Sequence, residues 1–300
     1  MNYQLLKYNS ISWDSYTDGP GRRVVLFLQG CEYRCPWCHS PHTQDMELAL
    51  LFFESLCIGC SRCEKNCPAG VHSFSAGIHQ IHRERCTGCG LCVEGCPQSI
   101  EGASGTVLKI VPKTSSIKSI YDLMRPQLEY CGALTISGGE PLLQWGAVKE
   151  LLALCKAAGV ETAIETTLTA DERAISELLS LVDLWLVGLR PLEKNNPLLN
   201  VPDESITTRN LGLLSKDRVC IRYPIIPGYT DSSESLGTAS DLMERAAIRR
   251  IEVLPFNQQA GHYYLSLGRQ FNIEDLTATN LVNQAGDFFR SRGLSVLITQ

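Results

Sequence analysis

Apolar residues along this chain gather in short unbroken runs, and between the runs the pattern changes to a helical repeat. The first run, RRVVLFLQG (22–30), is closed by glycine and reads as a buried strand. Further strands are predicted at ALTISGG (133–139), VETAIET (160–166), DLWLVGL (183–189), VCIRYPII (219–226), RIEVLPF (250–256) and LSVLIT (294–299). Amphipathic spacing predicts helices over residues 142–159, 171–182, 233–247 and 273–293.

Strand and helix alternating at this short spacing imply parallel strands with crossover helices. Six such units, counted from residues 22–30, predict an α/β fold. The expected form is a partial (β/α)6 barrel, with its active site at the C-terminal ends of the strands. Residues 57–97 break the series, being rich in cysteine with little apolar periodicity. That stretch reads as an insertion. It makes a ferredoxin-like α+β domain of residues 54–105 between barrel segments 1–53 and 106–300.

Composition adds the redox setting. Of 300 residues, 44% are apolar and 20% charged, as in an ordinary soluble globular protein. A net charge of −5 and the lack of any Lys/Arg cluster longer than a pair argue against nucleic acid or a membrane as partner. No apolar stretch reaches the roughly 18 residues of a membrane span. The N-terminal residues lack a signal-peptide layout, so a cytoplasmic location is expected. There, clustered cysteines mean metal or redox chemistry. Eleven of the 14 cysteines fall between positions 31 and 96. Cys131, Cys155 and Cys220 stand alone and read as buried small hydrophobes.

CIGCSRCEKNCP (57–68) and CTGCGLCVEGCP (86–97) both spell C-x2-C-x2-C-x3-C-P. This is the two-cluster ferredoxin pattern, in which each fourth cysteine ligates the other cluster. One [4Fe–4S] cluster would take Cys57, Cys60, Cys63 and Cys96, and the other Cys86, Cys89, Cys92 and Cys67. Zinc also binds C-x2-C pairs, but duplicated four-cysteine runs closed by proline suit it poorly. Fully ligated cubanes move electrons. His72, His79 and His82, between the runs, read as exposed loop residues without a role.

QGCEYRCPWCHS (29–40) holds only three cysteines, Cys31, Cys35 and Cys38. Three thiolates hold a [4Fe–4S] cluster and leave one iron free for a small molecule with an amine and a carboxylate. The methionine end of S-adenosylmethionine chelates in this way. One electron then breaks its C5′–S bond to give a 5′-deoxyadenosyl radical, while the protein places the cofactor and excludes quenchers. A degenerate metal site is the bland alternative.

Together with SGGEP (137–141), the stretch CEYRCPWC (31–38) resembles the radical S-adenosylmethionine enzymes. The resemblance implies that Trp37 packs on the adenine and that Cys38 and His39 border the cofactor. It also implies close backbone approach to the methionyl group at Gly138 and Gly139, with Glu140 complementing its ammonium. DGPGRRVVLFLQGCEYRCPWCHSP (18–41), SGGEPLLQ (137–144), RYPIIPGYTDSSE (222–234) and IEVLPFNQQAGHYYLSLG (251–268) narrow the match further. Over nearly the whole chain it is similar to the glycyl radical enzyme activating enzymes, whose larger members carry a ferredoxin-like insert here. Such enzymes abstract one Cα hydrogen from a specific glycine of a partner enzyme. The implied partners are a glycyl radical enzyme as protein substrate and reduced flavodoxin or ferredoxin as electron donor.

Asp18, Gly19, Pro20, Gly21 and Arg22 match the family's D-G-P-G-x-R. They read as an active-site or partner loop, although Gly19-Pro20-Gly21 is turn chemistry in its own right. Three departures stand out. The family's D-x-K at the end of the fourth strand is Gly188-Leu189-Arg190. Arg190 could keep the lysine's cofactor contact with different geometry, while an aspartate that helps some relatives bind a monovalent cation is missing. The histidine after LP[YF] is Asn257, and ETTLT (165–169) keeps the acid, Glu165, but has Leu168 for a glycine. Two other readings compete: a radical enzyme acting on another peptide or small molecule, and an electron carrier without turnover. The intact triplet counts against the carrier, and DGPG with PGYTDS favours the activase.

Overall fold

The computed structural model describes residues 4–99, 106–190, 204–273 and 279–299. Its frame is a nine-stranded sheet. β1 (Leu5–Ser15) runs antiparallel to β2 (Arg23–Leu28), the strand that leads to the cysteine triplet. β3 (Ala49–Phe52), β4 (His72–Ser75), β5 (Ile78–Ile81) and β6 (Leu108–Val111) stand outside that sheet, and β7 (Lys113–Ser116) pairs with the far side of β1. Then come β8 (Ala133–Gly138), β9 (Glu161–Thr166), β10 (Leu184–Gly188), β11 (Val219–Pro224), β12 (Arg250–Leu254) and β13 (Ser295–Ile298). From edge to edge the order is β13-β12-β11-β10-β9-β8-β2-β1-β7. All pairs from β2 to β13 are parallel.

Those seven parallel strands are the seven apolar runs predicted from sequence. β1, β7 and the helix α3 described below were not anticipated. β1 mixes lysine, asparagine, serine and aspartate with its apolar residues, so it lacks the continuous apolar signature that marked the others.

Nine helices are described. α1 (Arg62–Asn66) and α2 (Leu91–Glu94) lie in the cysteine runs. α3 (Ile117–Cys131), α4 (Trp145–Ala157), α5 (Glu172–Ser176), α6 (Glu204–Leu211), α7 (Ser233–Arg245), α8 (Ala260–Ser266) and α9 (Thr279–Ser291) follow. The helix predicted over 171–182 shortens to α5. Asp183 draws the chain back to the sheet, its carboxylate accepting the Thr162 N–H at 2.9 Å. Residues 274–278 of the helix predicted over 273–293 lie outside the described residues. Among the described residues no helix is long and apolar enough to cross a membrane.

Strand alternation divides the sheet into two faces. Leu26, Ile136, Ile164, Trp185, Ile221 and Ile251 join the main core with residues of the helices. On the other face Ala163, Leu184 and Leu186 form a small apolar layer against Cys220. Two residues further along β9 and β11, that same face carries Glu165 and Arg222. Of the solitary cysteines, Cys155 is fully buried, whereas Cys131 and Cys220 are only half-buried against apolar neighbours.

β3 and β6 pair antiparallel with Phe52 opposite Leu108, so the cysteine-rich segment leaves and returns at one place. Its apolar cluster is separate, built from Leu50, Phe52, Cys63, Val71, Cys92, Val107 and Leu108. The histidines here are not exposed loop residues. β4 and β5 form a hairpin that buries His72 and leaves His79 half-buried, each lining a pocket of the cysteine runs, and His82 just after β5 is half-buried too.

Candidate functional site

The triplet loop opens where β2 ends. Its base is closed by two backbone bonds, Gly30 N–H to Thr43 O at 2.7 Å and Cys31 N–H to Gln44 O at 2.8 Å. Gln29 donates from Nε2 to the carbonyls of His42 and Asp45, and the Tyr264 hydroxyl of α8 donates to the carbonyls of Cys35 and Pro36. The loop is therefore held from both sides. Its cysteines share an apolar cluster with Tyr33, Trp37, Ile226 and Phe256. Burial pushes the Cys31 thiol up to about 11 and that of Cys38 up to about 12, and raises Cys35 as well. The thiols are thus protonated without metal, and a cluster must displace those protons to bind. Trp37 is buried and meets the Tyr229 ring at 5.1 Å between centroids.

The SGGE segment sits beside this loop for reasons its pattern did not disclose. Gly138 has φ +112°, and a Cβ there would lie 2.3 Å from the Leu28 backbone nitrogen. At Gly139 a Cβ would come within 2.0 Å of the Gly30 carbonyl oxygen. Both glycines are thus demanded by close approach to the backbone of Leu28 and Gly30. Glu140 is 2% exposed. Its Oε1 accepts from Leu142 N–H (3.1 Å) and the Thr166 hydroxyl (2.6 Å), and its Oε2 from Thr167 N–H (2.8 Å) and the Thr167 hydroxyl (2.7 Å). A carboxylate has about four lone-pair sites, so none is left for a bound ammonium. Glu140 instead pins the β8 loop to the β9 loop. Glu140→Gln turns one oxygen into a donor facing donors, and stability is expected to fall by about 2 kcal/mol or more. Chemical denaturation of the metal-free protein measures it, and an unchanged midpoint would contradict the pinning role.

Arg222 organises the inner face of the sheet. It is 7% exposed on its side chain, with Nη1 at 3.1 Å from Glu165 and Nε at 3.2 Å from Glu252. Nη1 also lies 3.8 Å from Asp18, and Nη2 donates to the Thr17 carbonyl at 2.8 Å. Glu165 additionally accepts from the Ser137 hydroxyl at 2.7 Å. Burial alone would raise the Glu165 carboxyl, but Arg222 and that hydroxyl outweigh it and hold the group below the ordinary carboxylate range. Sequence reading passed over Arg222 and Glu252. Both alternate with apolar residues on parallel strands, and that inward period was the available signal.

Gly188 stands next to Arg222 in register. The room left by its missing side chain is filled by Arg190, whose Nη1 donates to the Gly188 carbonyl at 3.0 Å and would lie 2.8 Å from a Cβ. The guanidinium also lies 5.8 Å from the Tyr33 ring centroid, and its Nε is buried without a partner. Burial would lower its pKa, but its neighbours Cys35, Cys31, Tyr33 and Glu165 outweigh that and raise it. Leu189 points into the main core. His39 interacts with Glu165, Asp18, Arg190 and Arg222; crowding by protein lowers its pKa, although the residue stays open to solvent. Asn257 is exposed and accepts the Gln259 N–H at 2.9 Å, at the start of α8.

In the DGPG turn the structure separates the paired arginines. Arg22 faces outward, pairs with exposed Asp14 at 2.8 Å and lies over the Tyr130 ring. Arg23 is fully buried and ties the turn down. It donates to Thr135 Oγ1 (2.8 Å), to the Pro20 and Leu134 carbonyls (3.0 and 3.2 Å) and to Glu161 (2.9 Å). Thr135 in turn donates to the Asp18 carbonyl at 2.7 Å. Arg23 was missed because the pattern marks its neighbour.

Two further cavities lie in the cysteine-rich segment. Cys57, Cys60, Cys63 and Cys96 line one; Cys67, Cys86, Cys89 and Cys92 line the other. The fourth cysteine of each run thus faces the other run's cavity. His79 lines the first and His72 the second, and burial lowers the pKa of both, that of His72 to about 4. Cys63, His72 and His79 also bring their ligand atoms within 4.8 Å of one another.

Residues 51–101 match the 4Fe-4S dicluster domain family, and residues 17–75 the 4Fe-4S single cluster domain family. The chain is 34% identical over 302 residues to the benzylsuccinate synthase activating enzyme of Thauera aromatica, covering 95% of this chain and 89% of that one. It is 32% identical over 280 residues to the choline trimethylamine-lyase activating enzyme of Oleidesulfovibrio alaskensis, covering 90% and 89%. In fold it is similar to the crystal structure of QueE from Escherichia coli, with a TM-score of 0.50 at 14% identity over 99% of this chain and 94% of that one.

Proposed function

Because this chain belongs to the glycyl radical enzyme activating enzymes, radical S-adenosylmethionine enzymes of α/β fold, we propose that Cys31, Cys35 and Cys38 hold its catalytic [4Fe–4S] cluster. S-adenosylmethionine reduced there supplies the 5′-deoxyadenosyl radical that takes a Cα hydrogen from a glycine of a partner glycyl radical enzyme. The observation that carries this reading is the thiol count at the site. Three cysteines share one buried aromatic cluster, and every other cysteine is placed elsewhere.

The remaining residues bind, orient and shield. Tyr33, Trp37, Ile226 and Phe256 keep water from the thiolates. Arg190 sets a fixed positive charge beside Cys31 and Cys35, where it favours thiolate and can meet the cofactor's carboxylate. Arg222 holds Asp18, and with it the DGPG turn, against Glu165 and Glu252. The seven parallel strands read as a partial (β/α)6 barrel with a last strand added, formed by residues 1–53 and 106–300. Residues 54–105 are the inserted domain, closed at its base by the β3–β6 ladder, whose Leu50, Phe52 and Leu108 lend their side chains to the insert's apolar cluster. The insert would hold two [4Fe–4S] clusters, three with the catalytic one, and this pair would receive electrons from reduced flavodoxin or ferredoxin in the cytoplasm.

Two results are expected. Anaerobically reconstituted protein holds about twelve iron atoms per chain, four per cubane. Mixed with reductant, S-adenosylmethionine and its partner, it generates a glycyl doublet detectable by EPR. Cofactor cleavage with no radical on any candidate glycyl radical enzyme would remove the activase reading and leave a radical enzyme of another substrate.

A further inference from the structure

Two histidines of the β4–β5 hairpin stand where the two insert cavities meet. His79 Nδ1 lies 3.7 Å from Cys57 Sγ, and its Nε2 lies 3.6 Å from Cys63 Sγ. His72 Nδ1 is 3.0 Å from that same His79 Nε2. His72 is 3% exposed and lines the second cavity, with its Nε2 buried and unpartnered. Phe74 stacks on the His79 ring at 4.3 Å and Phe52 meets it edge-on at 4.5 Å, so the ring is held in place.

We propose that His79 and His72 form a hydrogen-bonded bridge between the two insert clusters, and that the bridge gives those clusters unequal reduction potentials. This rests on the reading that both cavities hold [4Fe–4S] clusters. A ligating thiolate only accepts, and His79 turns a ring nitrogen to a sulfur on each side; because Nε2 is also met by His72 Nδ1 at the shorter 3.0 Å, we place the His79 proton on Nδ1, facing Cys57. His79 Nε2 is then the acceptor, and His72 Nδ1–H donates to it. One proton per neutral ring leaves His72 Nε2 bare toward the second cavity, in keeping with its missing partner. An N–H bond to a ligand sulfur stabilises the more negative, reduced cluster and raises its potential. The cluster of Cys57, Cys60, Cys63 and Cys96 receives that bond from the pair. The cluster of Cys67, Cys86, Cys89 and Cys92 does not, and the Val71 N–H on Cys67 Sγ at 3.3 Å is a backbone bond independent of the pair.

The test is a potentiometric titration of the reconstituted full-length protein, followed by EPR and paired with iron analysis. His79→Phe keeps the stacking and removes the N–H. At fixed potential, the reduced-to-oxidised ratio of one insert cluster is expected to fall about tenfold, about 59 mV for one electron. The catalytic cluster should not move, and iron should stay at about twelve per chain. His79→Asn, which restores an N–H near the position of Nδ1, is expected to recover most of the shift; His79→Leu replaces the phenylalanine variant if that one does not fold. Unmoved midpoints with full iron overturn the bridge and leave the cluster assignment standing. Wild-type protein short of about eight insert irons, or with zinc on Cys63, His72 and His79, overturns the assignment and the bridge with it.

Discussion

Alanine at Cys31, Cys35 and Cys38 together is expected to remove about four of about twelve iron atoms and to bring 5′-deoxyadenosine formation down to background. The partial iron loss follows from separation in space. The other eight cluster cysteines line two cavities of their own, and six of them belong to a different apolar cluster. The complete loss of cleavage follows from chemistry, since a fully ligated cubane has no iron to offer the cofactor. The apolar setting of the triplet, with Tyr33, Trp37, Ile226 and Phe256, tolerates alanine without burying an unpaired charge, so the variant should still fold. Iron analysis and quantification of the nucleoside product decide the matter. Cleavage that survives in the triple variant would sink the catalytic assignment.

Arg222→Met is expected to destabilise the protein by about 3–5 kcal/mol, because it leaves buried carboxylates without their cation. Glu165, Glu252 and Asp18 all turn to this one guanidinium. The loss should depend on pH in a definite sense. In the native chain the Glu165 carboxyl is held below its ordinary value of 4.5. A depressed carboxyl contributes stability above its unfolded pKa, and that contribution is lost as pH falls through the folded value. Without Arg222 the largest lowering influence on that carboxyl is gone while burial still raises it, so this contribution shrinks. The stability gap between native and variant should therefore be wide at neutral pH and close below about pH 4.5. Denaturation midpoints of the metal-free proteins at several pH values measure it. A gap that is small, or constant with pH, would show that the carboxylates do not rely on Arg222. The methionine variant's DGPG turn should also loosen, since the Thr17 carbonyl and Asp18 lose their shared donor.

Much of this protein could be read from local spacing. The parallel strands announce themselves as unbroken apolar runs, and a strand buried on both faces needs no partner to be recognised. The cysteine runs are equally explicit. The ferredoxin pattern assigns Cys67 to the other run, and the two cavities group the thiols in the same way. The polar residues were harder. Arg22 and Arg23 are adjacent and chemically identical, and only the turn of the chain into β2 decides which one is buried. Glu140 fits a cofactor motif, yet its oxygens are taken by Thr166, Thr167 and the backbone. His72 and His79 look like loop residues until the hairpin places them between two cavities.

What the amino-acid order determined alone is the set of chemistries within reach of short chelate loops and single strands: three thiols here, four and four there, and seven strands to carry them. Tertiary structure decided which charges meet. Arg222 finds Glu252 on the adjacent strand, and Glu165 only across the gap at Gly188, a gap that Arg190 also enters. The physical reason is range. Metal ligation and strand burial depend on residues a few positions apart, whereas a buried charge is satisfied by whatever sheet register brings beside it, often from more than a hundred residues away.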